Sequence, residues 1–185
     1  MEAVEINAGE FYLRQLRSDD RIDDCPALVE AFADAETRRW LTGYRIDDLE
    51  TARRYVKFRT KQWESGQRCS WAVCDAVEGT LVGEVGLKDL ELVHGCAEAM
   101  CWTHPAHRGR GIAALALGAA LRFGFGGVGL HRVGYRHSVR NTASQRIAEK
   151  CGFTREGTLR DAELIDGERH DLLLWSRLAT DPEPD

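Results

Sequence analysis

The chain has 185 residues, 30% charged and 43% hydrophobic, with 25 Lys+Arg against 30 Asp+Glu for a formal net charge of −5. That length suits one domain with a real core, and the charge argues against a main task of gripping nucleic acid, which calls for a basic face. The start, Met1-Glu2-Ala3-Val4-Glu5, is acidic, and the longest apolar stretch, 111–121, is too short to span a bilayer; no leader, no membrane segment and a cytoplasmic setting are expected.

In chain order, Phe11-Tyr12-Leu13-Arg14-Gln15-Leu16-Arg17 alternates and predicts a first strand. Ser18-Asp19-Asp20 offers caps for a helix running to about Phe32, and Asp47-Asp48 caps a second, Leu49–Glu64, closed by Ser65-Gly66. Strands over 70–74 and 81–87 flank a turn at Glu78-Gly79. A strand around 96–103 precedes Arg108-Gly109-Arg110-Gly111-Ile112-Ala113, and a helix follows it. A further strand covers 131–137, Asn141-Thr142-Ala143-Ser144 opens a helix closed by Gly152, and two last strands lie near 153–156 and 171–177 around a turn at Asp166-Gly167. The order predicts a single α/β (α+β) domain over 1–178, with a mixed sheet; the tail 179–185 is expected to be disordered.

The six cysteines, Cys25, Cys69, Cys74, Cys96, Cys101 and Cys151, form no C-x-x-C pair. Cys69/Cys74 and Cys96/Cys101 are separated by odd steps along strands and so point to opposite faces, which suits buried reduced thiols rather than a metal claw. The six histidines lack metal-ligand spacing, and no metal is expected.

The glycine segment carries the most chemistry. Two glycines where a strand turns into a helix leave main-chain N–H groups bare, and the helix dipole there favours an anion. Arg108 and Arg110 add cationic forks. This is a diphosphate cradle, and three ligands compete for it. Gly109-Arg110-Gly111-Ile112-Ala113-Ala114 formally fits the dinucleotide G-x-G-x-x-A, but no acidic residue follows in 131–137, where that motif needs one. A P-loop requires Gly-Lys-Ser/Thr, which is absent. The third is coenzyme A: Arg108-x-x-Gly111-x-Ala113 resembles the Q/R-x-x-G-x-G/A signature of the GNAT acetyltransferases. Asn141-Thr142-Ala143-Ser144 through Lys150-x-Gly152-Phe153 looks like the second half of that family's signature. With Leu130-His131-Arg132-Val133 and Arg155-Glu156-Gly157-x-Leu159-Arg160, the chain resembles the branch holding the RimJ/RimL ribosomal-protein N-terminal acetyltransferases.

The resemblance implies a mostly antiparallel sheet with helices on both faces and a splayed acyl-CoA cleft. It implies acetyl-CoA as donor and a primary amine as acceptor, either a protein N-terminus or a small molecule, with a homodimer admissible. A coenzyme-A-binding sensor without turnover is the rival. The diphosphate would lie on the amides of Arg108, Gly109, Arg110, Gly111, Ile112 and Ala113. The pantetheine arm would run along Met100, Cys101 and Trp102, with an N–H near Cys101 facing the developing oxyanion. Asn141 would contact that arm and Ser144 would protonate the departing sulfur. Glu98 and Glu84, each on an otherwise apolar strand, are the candidate proton acceptors, Glu98 first; burial there would raise a carboxyl's pKa, and a wet outward face is the plainer account for Glu84. Glu163 stands where many relatives carry an aromatic residue; with Asp161, Asp166 and Glu168 it forms either an acidic acceptor mouth or a solvated loop. Tyr44, Tyr55 and Phe58 are alternatives between acceptor groove and core.

Overall fold

A computed structural model describes residues 2–184. Two short strands, β1 (Ile6–Ala8) and β2 (Phe11–Arg14), form a hairpin, followed by helices α1 (Cys25–Ala33), α2 (Ala35–Trp40) and α3 (Leu49–Glu64). A meander of β3 (Arg68–Asp75), β4 (Leu81–Glu91) and β5 (Cys96–Thr103) comes next. A 3-10 turn at Pro105–His107 then leads into α4 (Ile112–Phe123), which ends in a π-helical turn. Strand β6 (Arg132–Ser138), α5 (Thr142–Lys150) and the hairpin β7 (Thr154–Ile165) and β8 (Glu168–Leu178) complete the chain. The strands form one sheet in the order β1-β2-β3-β4-β5-β6-β8-β7, antiparallel throughout except for β5 beside β6. No helix among the described residues is long and apolar enough to cross a membrane.

Each face of the sheet carries its own core. On one, Trp71, Leu87, Ala99, Leu117, Leu121, Val133, Tyr135 and Trp175 pack with α4 and α5. On the other, Leu28, Phe32, Tyr55, Ala72, Cys74 and Trp102 pack with α1 and α3. Cys69 falls in the first core and Cys74 in the second, as their odd spacing requires, and none of the six cysteines is in a disulfide among the described residues.

Helix α3 begins and ends where its caps predict: Asp48 accepts from the Thr51 N–H at 2.8 Å, and the Thr51 side chain answers the Asp48 backbone. The first helix differs. Of the residues expected to cap it, Asp19 folds a loop instead, accepting from Arg21 and Ile22, and the later Asp24 is gripped by the buried Arg14 at 2.8 Å and by the Arg17 N–H. The helix therefore waits until Cys25, with Pro26 in its first turn. Asp34 then caps the unpredicted α2 through the Thr37 N–H. Strand β7 is far longer than its expected stub; it is an edge strand, bulged around Asp161 and largely exposed. The tail, expected to be disordered, stays against the body: Ala179 N–H bonds the His131 carbonyl, Arg177 reaches Glu183, and Pro184 stands beside Gly152.

Candidate active site

Strands β5 and β6 are paired over only three positions, Cys96 with Arg132, Ala97 with Val133 and Glu98 with Gly134. Beyond Glu98 they diverge, opening a cleft of about 820 Å³ between them. The register decides which backbone groups face it. Residues 82 and 104 continue the β4–β5 register, and the His104 N–H bonds the Val82 carbonyl. Antiparallel pairs alternate, so Ala99, Cys101 and Thr103 turn their N–H and C=O groups away from β4 into the opening. Met100 and Trp102 spend theirs on β4 and line the cleft with side chains instead. Of the three residues expected along the pantetheine arm, Cys101 is the one with a main-chain edge to offer.

At the far end lies the glycine turn. Gly109 and Gly111 adopt φ of +78° and +77°, a left-handed conformation that a side chain disfavours, and nothing stands within 4 Å of where a Cβ would project. Gly111 caps α4 with no side-chain hydrogen bond, so the first-turn amides from Ile112 onward face the opening. Arg108 corrects expectation. Its guanidinium is turned away onto α2, meeting Asp34 at 2.5 Å, Glu36 at 3.0 Å and Thr37 at 2.8 Å, and it holds the Asp34 carboxyl below its ordinary range. Its N–H points back to Pro105. Arg110 stays on the rim beside His107. Two cations that sequence reasoning passed over join it: Arg146 and Lys150, one turn apart on α5, line the same cleft, and none of the three is in a salt bridge among the described residues. His104 is buried at the turn, accepting from the Ala106 N–H, and burial lowers its pKa.

Helix α5 presents Asn141 and Ser144 to the opening. Asn141 is the helix cap, its Oδ1 accepting from the Ser144 N–H at 3.0 Å. Ser144 lies beside the phenol of Tyr135, a cleft residue that the sequence did not single out. The Tyr135 hydroxyl stands 3.5 Å from Cys101 Sγ. Burial raises the Tyr135 pKa well above its ordinary value and pushes Cys101 up to about 11. Both therefore keep their protons at neutral pH, which leaves Cys101 a poor nucleophile.

The other face of the opening is charged. Glu84 is fully buried rather than wet, and three side chains donate to it: the Tyr55 hydroxyl at 2.5 Å, Arg59 Nε at 3.0 Å and Trp102 Nε1 at 3.0 Å. It ties α3 to β4 and β5. Tyr55 is thereby core and Tyr44 is groove, while Phe58 is half exposed and outside the cleft. Glu98 lines the opening, but the apolar setting expected for it is absent. Lys88 Nζ at 2.8 Å and Arg136 at 2.5 Å engage its two oxygens. Of the acidic segment, Glu163 alone faces the cleft, where it accepts from Thr42; Asp166 pairs with Arg39 and Glu168 with Arg140.

Comparison with known proteins agrees with this geometry. Residues 10–154 match the family described as acetyltransferase (GNAT) domain. The chain is 26% identical over 171 residues to the uncharacterized N-acetyltransferase YoaA of Bacillus subtilis, covering 92% of this chain and 94% of that one. It is 30% identical over 101 residues to the ribosomal-protein-serine acetyltransferase of Escherichia coli, 55% of this chain and 56% of that one. The crystal structure of spermidine N-acetyltransferase from Vibrio cholerae in complex with CoA and spermine superposes with a TM-score of 0.79 at 22% identity, over 93% of this chain and 97% of that one. A parted strand pair, a glycine-turned helix start and a family match across most of the length agree: the chain belongs to the GNAT acetyltransferases and is an acyl-CoA-dependent N-acetyltransferase.

Proposed function

We propose that this enzyme passes the acetyl group of acetyl-CoA directly to a primary amine, with donor and acceptor bound together in the opening between β5 and β6. The observation that carries this reading is that the opening is lined from both faces of the sheet. Cys101, Tyr135, Ser144 and Ile147 border it on the α5 side, and Met100, Trp102, Glu98 and Arg68 on the other. The amides of 109–113, with Arg110, Arg146 and Lys150 on the rim, would hold the phosphates; Asn141 would contact the pantetheine arm. The amine lone pair attacks the thioester carbon. The Cys101 N–H receives the oxyanion, and as the C–S bond breaks the Ser144 hydroxyl gives its proton to the departing thiolate and takes in its place the remaining extra proton of the attacking nitrogen, with Tyr135 beside it.

Glu98, a carboxylate that lines the opening on β5, takes the ammonium's proton, through water, when Arg136 swings off it. Arg136 is the freer partner, its side chain 46% exposed. The protonated thiol of Cys101 supports direct transfer over an acyl-cysteine. The acceptor is an amine on a small molecule or on a peptide N-terminus; relatives named for ribosomal protein and for spermidine span both. Cysteines outside any disulfide suit a reducing compartment.

The test is thiol release from acetyl-CoA across a panel of amino acids, polyamines and peptides, beside calorimetry with coenzyme A alone. Release with an amine supports transfer. Tight coenzyme binding with no release from any amine would overturn it in favour of a sensor, and no heat at all would remove the cradle.

A further inference from the structure

One charge in the cleft has to share its counterpart. Arg68 opens β3, lines the floor of the cleft and is 2% exposed. Its Nε donates to Ser70 Oγ at 2.5 Å, but Nη2 is buried without a hydrogen-bond partner. The nearest carboxylate oxygen, on Glu84, is 3.9 Å away and already serves Arg59. One buried carboxylate thus stands between two guanidinium groups. The same imbalance recurs along the floor. Arg68, Lys88 and Glu98 are successive cross-strand neighbours on β3, β4 and β5, and Arg136 adds to them from β6. That row holds three cations and one acid. A buried cation that must share its anion is costly, whereas Arg108, elsewhere around the cleft, has two carboxylates of its own.

The location is specific. Nη2 lies 3.4 Å from where a Cβ on Gly86 would stand, and Gly86 is the direct partner of Met100. The guanidinium is packed over the Gly86 backbone, where a Cβ would also meet Ser70 Oγ at 2.9 Å, one strand, about 4.8 Å, from the first β5 residues past the divergence. A guest whose anionic group meets Arg68 where it lines the cleft has its next few atoms toward Met100 and Cys101, where the acyl carbon is attacked in the reading above.

We propose that the acceptor is a small amino acid, an amine bearing a carboxylate a few bonds away, and that Arg68 recognises that carboxylate, with Lys88 adding to the local field. This inference rests on the proposed transfer to an amine and narrows its acceptor. Arg68 acts here as a specificity residue, distinct from the groups that handle protons.

The test compares amino acids with their carboxamides, which keep the amine and lose the charge, and with polyamines and neutral peptides. For the wild-type enzyme, kcat/KM for the acid should exceed that for its amide by at least about tenfold, the weight of a charge-assisted pair. Arg68→Gln should raise KM for the acid by a similar factor and leave KM for the amide and for acetyl-CoA unchanged, a split that a merely structural role would not produce. The wild-type comparison stands even if the variant does not fold. Equal use of acid and amide, or preference for polyamines or neutral peptides, overturns this inference and leaves amine acetylation standing. Thiol release from none of them overturns both.

Discussion

The two ends of the cleft are built from different materials. The end proposed for the phosphates is main chain: two left-handed glycines, an uncapped helix start and three rim cations with no salt bridge among the described residues. The end proposed for the acceptor is side chain: Glu84, Glu98, Lys88, Arg136 and Arg59 are cross-paired, and Arg68 shares Glu84 at a longer 3.9 Å. A main-chain site tolerates many side-chain changes but no change of backbone conformation. A side-chain site is the reverse, since every member is held by another and each removal strands a partner.

The largest effect expected from this contrast is at Glu84. Glu84→Gln leaves Arg59 uncompensated in the core and should destabilise the fold by about 3–5 kcal/mol, read as a lowered urea midpoint; a loss under 1 kcal/mol would mean that the acceptor end is not held together through it. Next comes Ser144→Ala. It should lower kcat about 100-fold, with KM for acetyl-CoA little changed, if the hydroxyl supplies the proton; an unchanged kcat would remove that role and point to Tyr135. Gly111→Ala forces a side chain into the left-handed region at a cost of about 1–2 kcal/mol. Steady-state kinetics should show the penalty as a raised KM for acetyl-CoA and an unaltered KM for the amine, and the opposite pattern would erase the distinction between the ends.

The smallest effect is on pH. Burial lowers the pKa of His137, stacked between Tyr135 and Trp175, and of His104 at the glycine turn. As pH falls below about 6.5 the unfolded chain takes up protons that the folded chain refuses, so stability declines with acidification. Urea midpoints at pH 5.5 and 7.5 should differ in that sense, and His137→Gln should narrow the gap.

The same contrast explains how much could be read from residues alone. The cradle was legible because glycine announces a backbone conformation locally, and α3 because Asp48 and Thr51 cap within one turn. Asn141 and Gly152 bounded α5 for the same reason. What escaped depends on distant partners. Arg108 looked free until α2, itself unforeseen, supplied Asp34 and Glu36. Glu98 looked apolar because Lys88 and Arg136 come from two other strands. Asp19 looked like a cap because its type alone does not show that the Arg17 side chain and the Arg21 and Ile22 amides claim it. Strand β7 has no alternation to detect, since an exposed, bulged edge has little to bury.

The brevity of the β5–β6 contact has a mechanical corollary. Three residue pairs are a thin hinge, and the two halves of the sheet are otherwise clamped only by what packs above and below it. A ligand wedged into the parting would knit them together, so amide protons on both strands should exchange more slowly with solvent deuterium once the donor is loaded.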